Sequence, residues 1–194
     1  METPLSKHRD EDADLTARLR RGERDAVQDL YLRYVDRLYS LVFHQVGRNK
    51  NITEDIVQET FLAALNSVSR YRGESKPFTW LCGIAYHKIG DFYRRQRRGA
   101  EDVGLRSATE VEKIPAREEP IVDKFESEET KEVVEQALAG LPLHYRQVLL
   151  FKYVEEMPVM EISEIMRRSS KSVEGLLTRA RKALQASLNS SSKE

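Results

Sequence analysis

Residues 157–188 read MPVMEISEIMRRSSKSVEGLLTRARKALQASL. Apolar residues recur at three- and four-residue spacing on both sides of RRSS, which predicts two helices joined by a tight turn. Pro158 suits the start of the first helix, and Ser169 or Ser170 can cap the second. Ile162 and Met166 can pack against Val173 and Leu176, and Ser163 is small enough to let the two helices approach. The outline is that of a helix-turn-helix, with Arg167 standing where a turn glycine is usual. Arg168, Lys171 and Arg179 would then lie near phosphates or base edges. Any helical hairpin with a solvated basic face has the same outline, so the pattern leaves both readings open.

Working back toward the N-terminus, Ser127 followed by Glu128 and Glu129 resembles a helix start. Val133, Val134, Ala137 and Leu138 share a face, with Gly140 and Pro142 as the stop, and Tyr145, Val148, Leu149 and Tyr153 continue the same module. Residues 99–126, GAEDVGLRSATEVEKIPAREEPIVDKFE, hold two prolines, two glycines and only scattered apolar residues. Such a composition cannot bury enough surface to fold alone, so we read it as a linker.

The first part of the chain is helical in period as well. Leu15 and Leu19 begin a short helix that Gly22 can end. Val27, Leu30, Tyr34, Leu38, Leu41 and Val42 keep one face of a second helix up to Gly47. Thr53 can cap a third, with Glu54 and Asp55 at its positive end and Ile56, Val57, Thr60, Phe61, Ala64, Leu65 and Val68 as the buried face. Pro77 fits the first position of a fourth, whose Phe78, Leu81, Cys82, Ala85, Ile89 and Phe92 recur at helical spacing. No window alternates like a strand. The expected fold class is therefore all-α, two small helical domains (1–98 and 127–194) joined by a flexible acidic linker (99–126), the second domain a helix-turn-helix.

Composition narrows the function. The chain has 194 residues, 40% of them hydrophobic and 33% charged, with 32 basic against 32 acidic side chains. A net charge of zero argues, as a total, against a basic nucleic-acid binder. By segment the picture changes: residues 1–69 carry 10 basic and 12 acidic residues, 70–98 carry 8 and 2, 99–130 carry 4 and 10, and 131–194 carry 10 and 8. Neutrality is a cancellation between two basic stripes and an acidic middle. A lone Cys82 excludes a disulfide framework and a multi-cysteine metal site, in keeping with a reducing cytoplasm. No apolar run approaches the ~20 residues of a membrane span, and the polar, acidic N-terminus does not read as a signal peptide. His8, His44, His87 and His144 are scattered, without metal or nucleophile spacing, and no phosphate-loop glycine motif occurs. We expect no enzyme, no catalytic residue, no cofactor and no metal.

Two further constellations remain. DFYRRQRR places Arg94, Arg95, Arg97 and Arg98 at the end of the fourth helix, where they suit the dipole. Beside Tyr71, Phe78, Trp80 and Tyr93 they could equally track a single strand whose bases stack on aromatic rings. Trp80 is more often core than platform. Asp55, Gln58 and Glu59 fall on one polar face of the third helix, opposite Phe61 and Leu65. With no histidine, cysteine cluster or glycine loop near them, a solvated or partner-binding face fits better than acid/base chemistry.

Taken in order, TEDIVQETFLAAL (53–65), YRGESKPFTWLCGIA with DFYRRQRR (71–98), LPLHYRQVLLFKYVEEMPVMEISEIM (141–166) and SVEGLLTRARKAL (172–184) closely resemble an extracytoplasmic-function sigma factor of bacterial RNA polymerase. The resemblance implies a cytoplasmic, non-enzymatic initiation factor whose partners are core polymerase and promoter DNA, with no membrane attachment. It implies that Asp55, Gln58 and Glu59 dock on the clamp helices of the largest core subunit, and that the second domain meets the flap of the second largest. Tyr71, Arg72, Trp80, His87, Arg94, Arg95, Arg97 and Arg98 would handle the minus-10 element, a flipped base being read by the loop before Pro77. Arg168, Ser170, Lys171, Ser172, Glu174, Arg179 and Lys182 would address the minus-35 element from the major groove. The segment 99–126 would match the family's linker through the core enzyme.

Geometry permits the tether. About 28 residues span roughly 95 Å at about 3.4 Å each, and two elements about two helical turns apart are separated by about 70 Å. Two departures from the family pattern stand out. His87 occupies the place of an asparagine, and Ser172, Val173, Glu174, Gly175 and Leu176 replace a Thr-Val-Lys-Ser-Arg run, which predicts an altered or weaker minus-35 preference. Arg181 is open to a structural role facing the first module. The rival readings are a stand-alone helix-turn-helix regulator and a helical adaptor that uses its charges for protein contacts. The resemblance leaves an anti-sigma partner, phosphorylation or transcription alone as the alternative modes of control.

Overall fold

The computed structural model describes residues 4–102 and 128–191, with side chains over 12–98 and 133–189. Residues 99–102, expected in the linker, belong instead to the helix that starts at Pro77, because the helical hydrogen bonding runs on past the arginines; the rest of the linker, 103–126, and the proposed cap Ser127 lie outside the described residues. Among the described residues every regular element is helical. The chain divides into two compact units, one formed by Met1–Val42 with Lys50–Gly99 and the other by Phe43–Asn49 with Ala100–Glu194.

The first unit contains α1 (Pro4–Arg20), α2 (Arg24–Gln45) as far as Val42, α3 (Lys50–Ser67), a short 3₁₀ turn (Val68–Arg70) and α4 (Pro77–Asp102) as far as Gly99. Gly22, at φ +73°, ends α1, and Leu15, Leu19, Leu30, Leu38, Leu81, Cys82 and Ile89 close the core. Each of these leucines and the isoleucine contributes about 1.5–3 kcal/mol by leaving water. Two expectations are corrected here. Thr53 is not a cap: α3 begins three residues earlier, after a turn with Gly47 and Arg48 at positive φ, and Thr53 is fully buried inside it. Leu65 is not core but 40% exposed. It stands seven residues after Gln58, hence on the same face of α3 rather than opposite it.

In the second unit α5 (Glu128–Ala139), α6 (Leu143–Leu149), a π turn (Leu150–Val154), α7 (Val159–Met166) and α8 (Ser170–Ser191) enclose Val148, Leu149, Phe151, Ile162, Ile165, Val173, Leu176 and Ala180. The Ser172 N–H donates to Ser169 Oγ at 3.2 Å, so Ser169 is the residue that caps α8. Arg167, at φ +51°, takes the left-handed turn position. Val133 and Tyr153, read on the apolar face of this module, are 40% and 50% exposed. For Tyr153 the cause is the π turn: the Glu155 N–H reaches back five residues to the Leu150 carbonyl, which rotates the face that α6 had kept.

Candidate core-binding and nucleic-acid interfaces

Three surfaces can be built from these elements. The first is the exposed side of α2 and α3. Asp55 and Gln58 are exposed, while Glu59 turns aside to accept from Lys88 Nζ of α4 at 2.9 Å. Beside Gln58 lies a groove of ≈ 590 Å³ between the two helices, lined among others by Gln28, Tyr31, Glu54, Gln58, Leu62 and Leu65. Tyr31, Leu62 and Leu65 are large, apolar and solvent-exposed. The Tyr31 ring meets the buried Phe61 edge-on at 4.9 Å, which anchors the groove floor to the core. Sequence reasoning missed these apolar members because it counted Leu65 into the core. The four- and seven-residue steps from Gln58 to Leu62 and Leu65 are the signal that finds them.

The second surface runs along α4. Trp80, His87, Arg94 and Arg98 follow at intervals of seven, seven and four residues, one line down the helix. His87 and the four arginines are exposed, and Trp80 is half-buried. The arginines do not sit at the helix end, since α4 continues to Asp102 with no basic residue in its last turn. Neutralising the dipole therefore does not explain them. Arg94 pairs with Asp91 one turn back, whereas Arg95, Arg97 and Arg98 have no ion-pair partner among the described residues.

At the head of this line, the Tyr71 ring packs on Trp80 with centroids 4.8 Å apart, and the Tyr71 hydroxyl donates to the Ser75 carbonyl at 2.6 Å. Tyr71 is only 6% exposed, and burial raises its hydroxyl pKa. It acts on the loop and on Trp80 from behind, while Arg72 is exposed and Trp80 half-buried.

The third surface is the outer side of α8. Lys171, Gly175, Thr178 and Lys182 are exposed and share one line, with Glu174 and Arg179 exposed to either side. Arg168 is exposed in the turn before the helix, and Ser170 and Ser172 are half-buried in the first turn. The Ser170 hydroxyl lies 3.9 Å from Met160 Sδ, across the turn between α7 and α8. Thr178, whose hydroxyl donates to the Glu174 carbonyl at 3.0 Å, was not anticipated as part of this line. Arg181 is exposed and donates to Thr178 Oγ1 at 3.5 Å. His144 of α6 stands near this surface: partial burial, then the positive charges of Arg168 and Arg179, hold its imidazole below the ordinary pKa.

A helix-turn-helix unit together with a helical unit carrying an arginine line fits a two-part factor of the sigma-70 type. Family models agree, Sigma-70 region 2 over residues 30–99 and Sigma-70 region 4 over residues 131–184. More narrowly, the chain belongs to the extracytoplasmic-function (ECF) RNA polymerase sigma factors. It is 30% identical over 174 residues to the ECF RNA polymerase sigma factor SigW of Bacillus subtilis, covering 88% of this chain and 92% of that one. It is also 30% identical over 175 residues to the RNA polymerase sigma factor YlaC of the same organism, covering 88% and 96%. Among solved structures, CnrH in complex with the cytosolic domain of CnrY matches the fold with TM-score 0.64 at 23% identity, over 92% of this chain and 97% of that one. The sigma factor RpoE of Bartonella quintana, in complex with the anti-sigma factor NepR, matches with TM-score 0.65 at 18% identity, over 84% and 96%. The protein is accordingly a sigma factor, directing promoter-specific transcription by RNA polymerase.

Proposed function

We propose that the three surfaces divide the work of initiation. The first domain, residues 1–98, docks on the clamp helices of the largest core subunit through Asp55, Gln58 and the α2–α3 groove. Glu59 contributes indirectly by holding Lys88. The line Trp80, His87, Arg94 and Arg98, with Arg72, Arg95 and Arg97, holds the displaced strand of the minus-10 element, and the loop before Pro77 receives a flipped base. The aromatic head stacks and the cations track phosphates, which is how unpaired strands are held. Tyr71 fixes the loop from inside.

The second domain, residues 127–194, places α8 in the major groove of the minus-35 element, with Arg168, Lys171, Arg179 and Lys182 supplying phosphate or base contacts. Ser170 and Ser172 order the turn that aims the helix, and Glu174 selects against bases that offer only acceptors at its position. The segment that follows α4, residues 103–126, tethers the two domains through the core enzyme, and the second domain meets the flap of the second largest subunit. The factor works in the cytoplasm, without catalysis, metal or cofactor of its own. Because RpoE of Bartonella quintana is seen with the anti-sigma factor NepR, an anti-sigma factor is the control we favour over phosphorylation.

The observation that carries this reading is the pairing of an outward line of cations on α4 with a second one on α8, since a simple repressor needs only one. Pull-down of purified core polymerase followed by in vitro transcription tests it. Asp55→Lys combined with Gln58→Ala should abolish core binding while helical content by circular dichroism is unchanged. Arg179→Ala should cost about 1–3 kcal/mol of minus-35 dependence. Core binding without promoter-specific initiation, or specific duplex binding by the free chain as a dimer, would sink the proposal.

A further inference from the structure

The loop between the 3₁₀ turn and α4 is held from a side that neither the arginine line nor the family match includes. Gly73, at φ +71°, lies against α1: a Cβ placed there would stand 2.7 Å from Arg20 Cδ, 3.1 Å from Arg20 Cγ and 3.1 Å from Thr16 Cγ2. Any side chain at 73 would have to push the Arg20 stem away, and the positive φ already favours glycine. Thr16 is itself anchored, its hydroxyl donating to the Asp12 carbonyl at 2.6 Å. On the other flank the same loop is tied by the Tyr71–Ser75 hydrogen bond and by the buried Tyr71 ring against Trp80. The loop is thus clamped at three points, one of them the methylene stem of an otherwise exposed arginine. Helix α1 lies outside residues 30–99, the part matched by the family's region 2 model.

We propose that Arg20 is a positioning residue for minus-10 recognition: its stem, with Thr16, presses the backbone at Gly73 into the shape in which residues 72–76 receive a promoter base. The proposal rests on the reading that this loop contacts that base. The stem carries the effect and the guanidinium does not, because Cγ and Cδ are the Arg20 atoms that border the space beside Gly73. A second requirement follows: the residue at 73 and the residue at 20 must be small and long respectively, so changes at the two positions are coupled.

The experiment uses holoenzyme reconstituted from core polymerase and the full chain, on a promoter selected from random DNA by the unaltered holoenzyme and remade with each base at each minus-10 position. Arg20→Ala should reduce discrimination at one minus-10 position by about fivefold or more, the factor that corresponds to about 1 kcal/mol of base selection. Core affinity and minus-35 preference should be unchanged. Arg20→Gln, which keeps Cγ and Cδ, should retain the preference. Gly73→Asn, which tolerates positive φ but adds the Cβ, should lose it, and Arg20→Ala in the Gly73→Asn background should recover part of it. Equal loss of minus-10 and minus-35 preference in Arg20→Ala would overturn the proposal by showing a general packing defect. Retained preference in Arg20→Ala, alongside an altered one in Glu74→Ala with Lys76→Ala, would overturn it while leaving the loop reading intact. If the loop variant itself changed no minus-10 preference, the loop reading would fall and the proposal with it.

Discussion

Arg167 shows how a single residue can hold a motif together against its own preference. It adopts φ +51° in the turn between α7 and α8, a left-handed conformation that costs an L-residue with a Cβ about 1–2 kcal/mol relative to glycine. The turn survives because the Arg168 N–H reaches the Ser163 carbonyl at 3.0 Å and Ile162, Met166 and Val173 close beneath it. Arg167→Gly should therefore raise the stability of this unit by about 1 kcal/mol, read as a higher urea midpoint with an unchanged slope. A lower midpoint would mean that the arginine side chain repays its strain through contacts of its own. The unusual residue in the turn was visible in the sequence. That Arg167 keeps the turn, rather than abolishing it, was not, because the compensating contacts come from the packed helices on either side.

At the scale of elements, Arg146 joins two helices of the second unit. Arg146 is only 4% exposed, and its guanidinium donates from Nε to the Leu138 carbonyl at 3.0 Å and from Nη2 to the carbonyls of Ala139 and Leu141, so a side chain of α6 caps the end of α5. A lysine cannot reproduce the planar fork. Arg146→Lys should cost about 2 kcal/mol, the scale of losing charge-assisted bonds to buried carbonyls, and a thermal melt would register it; an unchanged melting temperature would show that water replaces the lost donors. Helix order and most core positions were legible from apolar spacing. The exceptions are physical: Tyr153 is turned outward by a π turn that no 3.6-residue period can anticipate, and Leu65 belongs to a groove formed only when α2 lies beside α3. The arginine line on α4 was legible as a cluster, but its arrangement needed the helix to run on to Asp102.

For the whole molecule, net charge misleads and its distribution informs. Thirty-two basic and 32 acidic residues cancel, yet residues 70–98 hold 8 basic against 2 acidic and residues 99–130 hold 4 against 10. A chain with so much compensating acid should bind duplex DNA poorly alone, at about 10⁻⁴–10⁻⁶ M near physiological salt, with a shallow salt dependence. Holoenzyme on its selected promoter should bind far more tightly and with a steeper slope. Fluorescence anisotropy across a salt series distinguishes the two, and tight, steeply salt-dependent binding by the free chain would contradict the division of labour given above. Cys82 offers a way to watch the first unit while such measurements are made. It is the single cysteine in 194 residues and fully buried in that unit's core. A thiol reagent can reach it only when the core around α4 opens, so the rate of labelling is an intrinsic clock for that opening, needs no engineered probe, and slows under any ligand that binds only the closed form of the first unit.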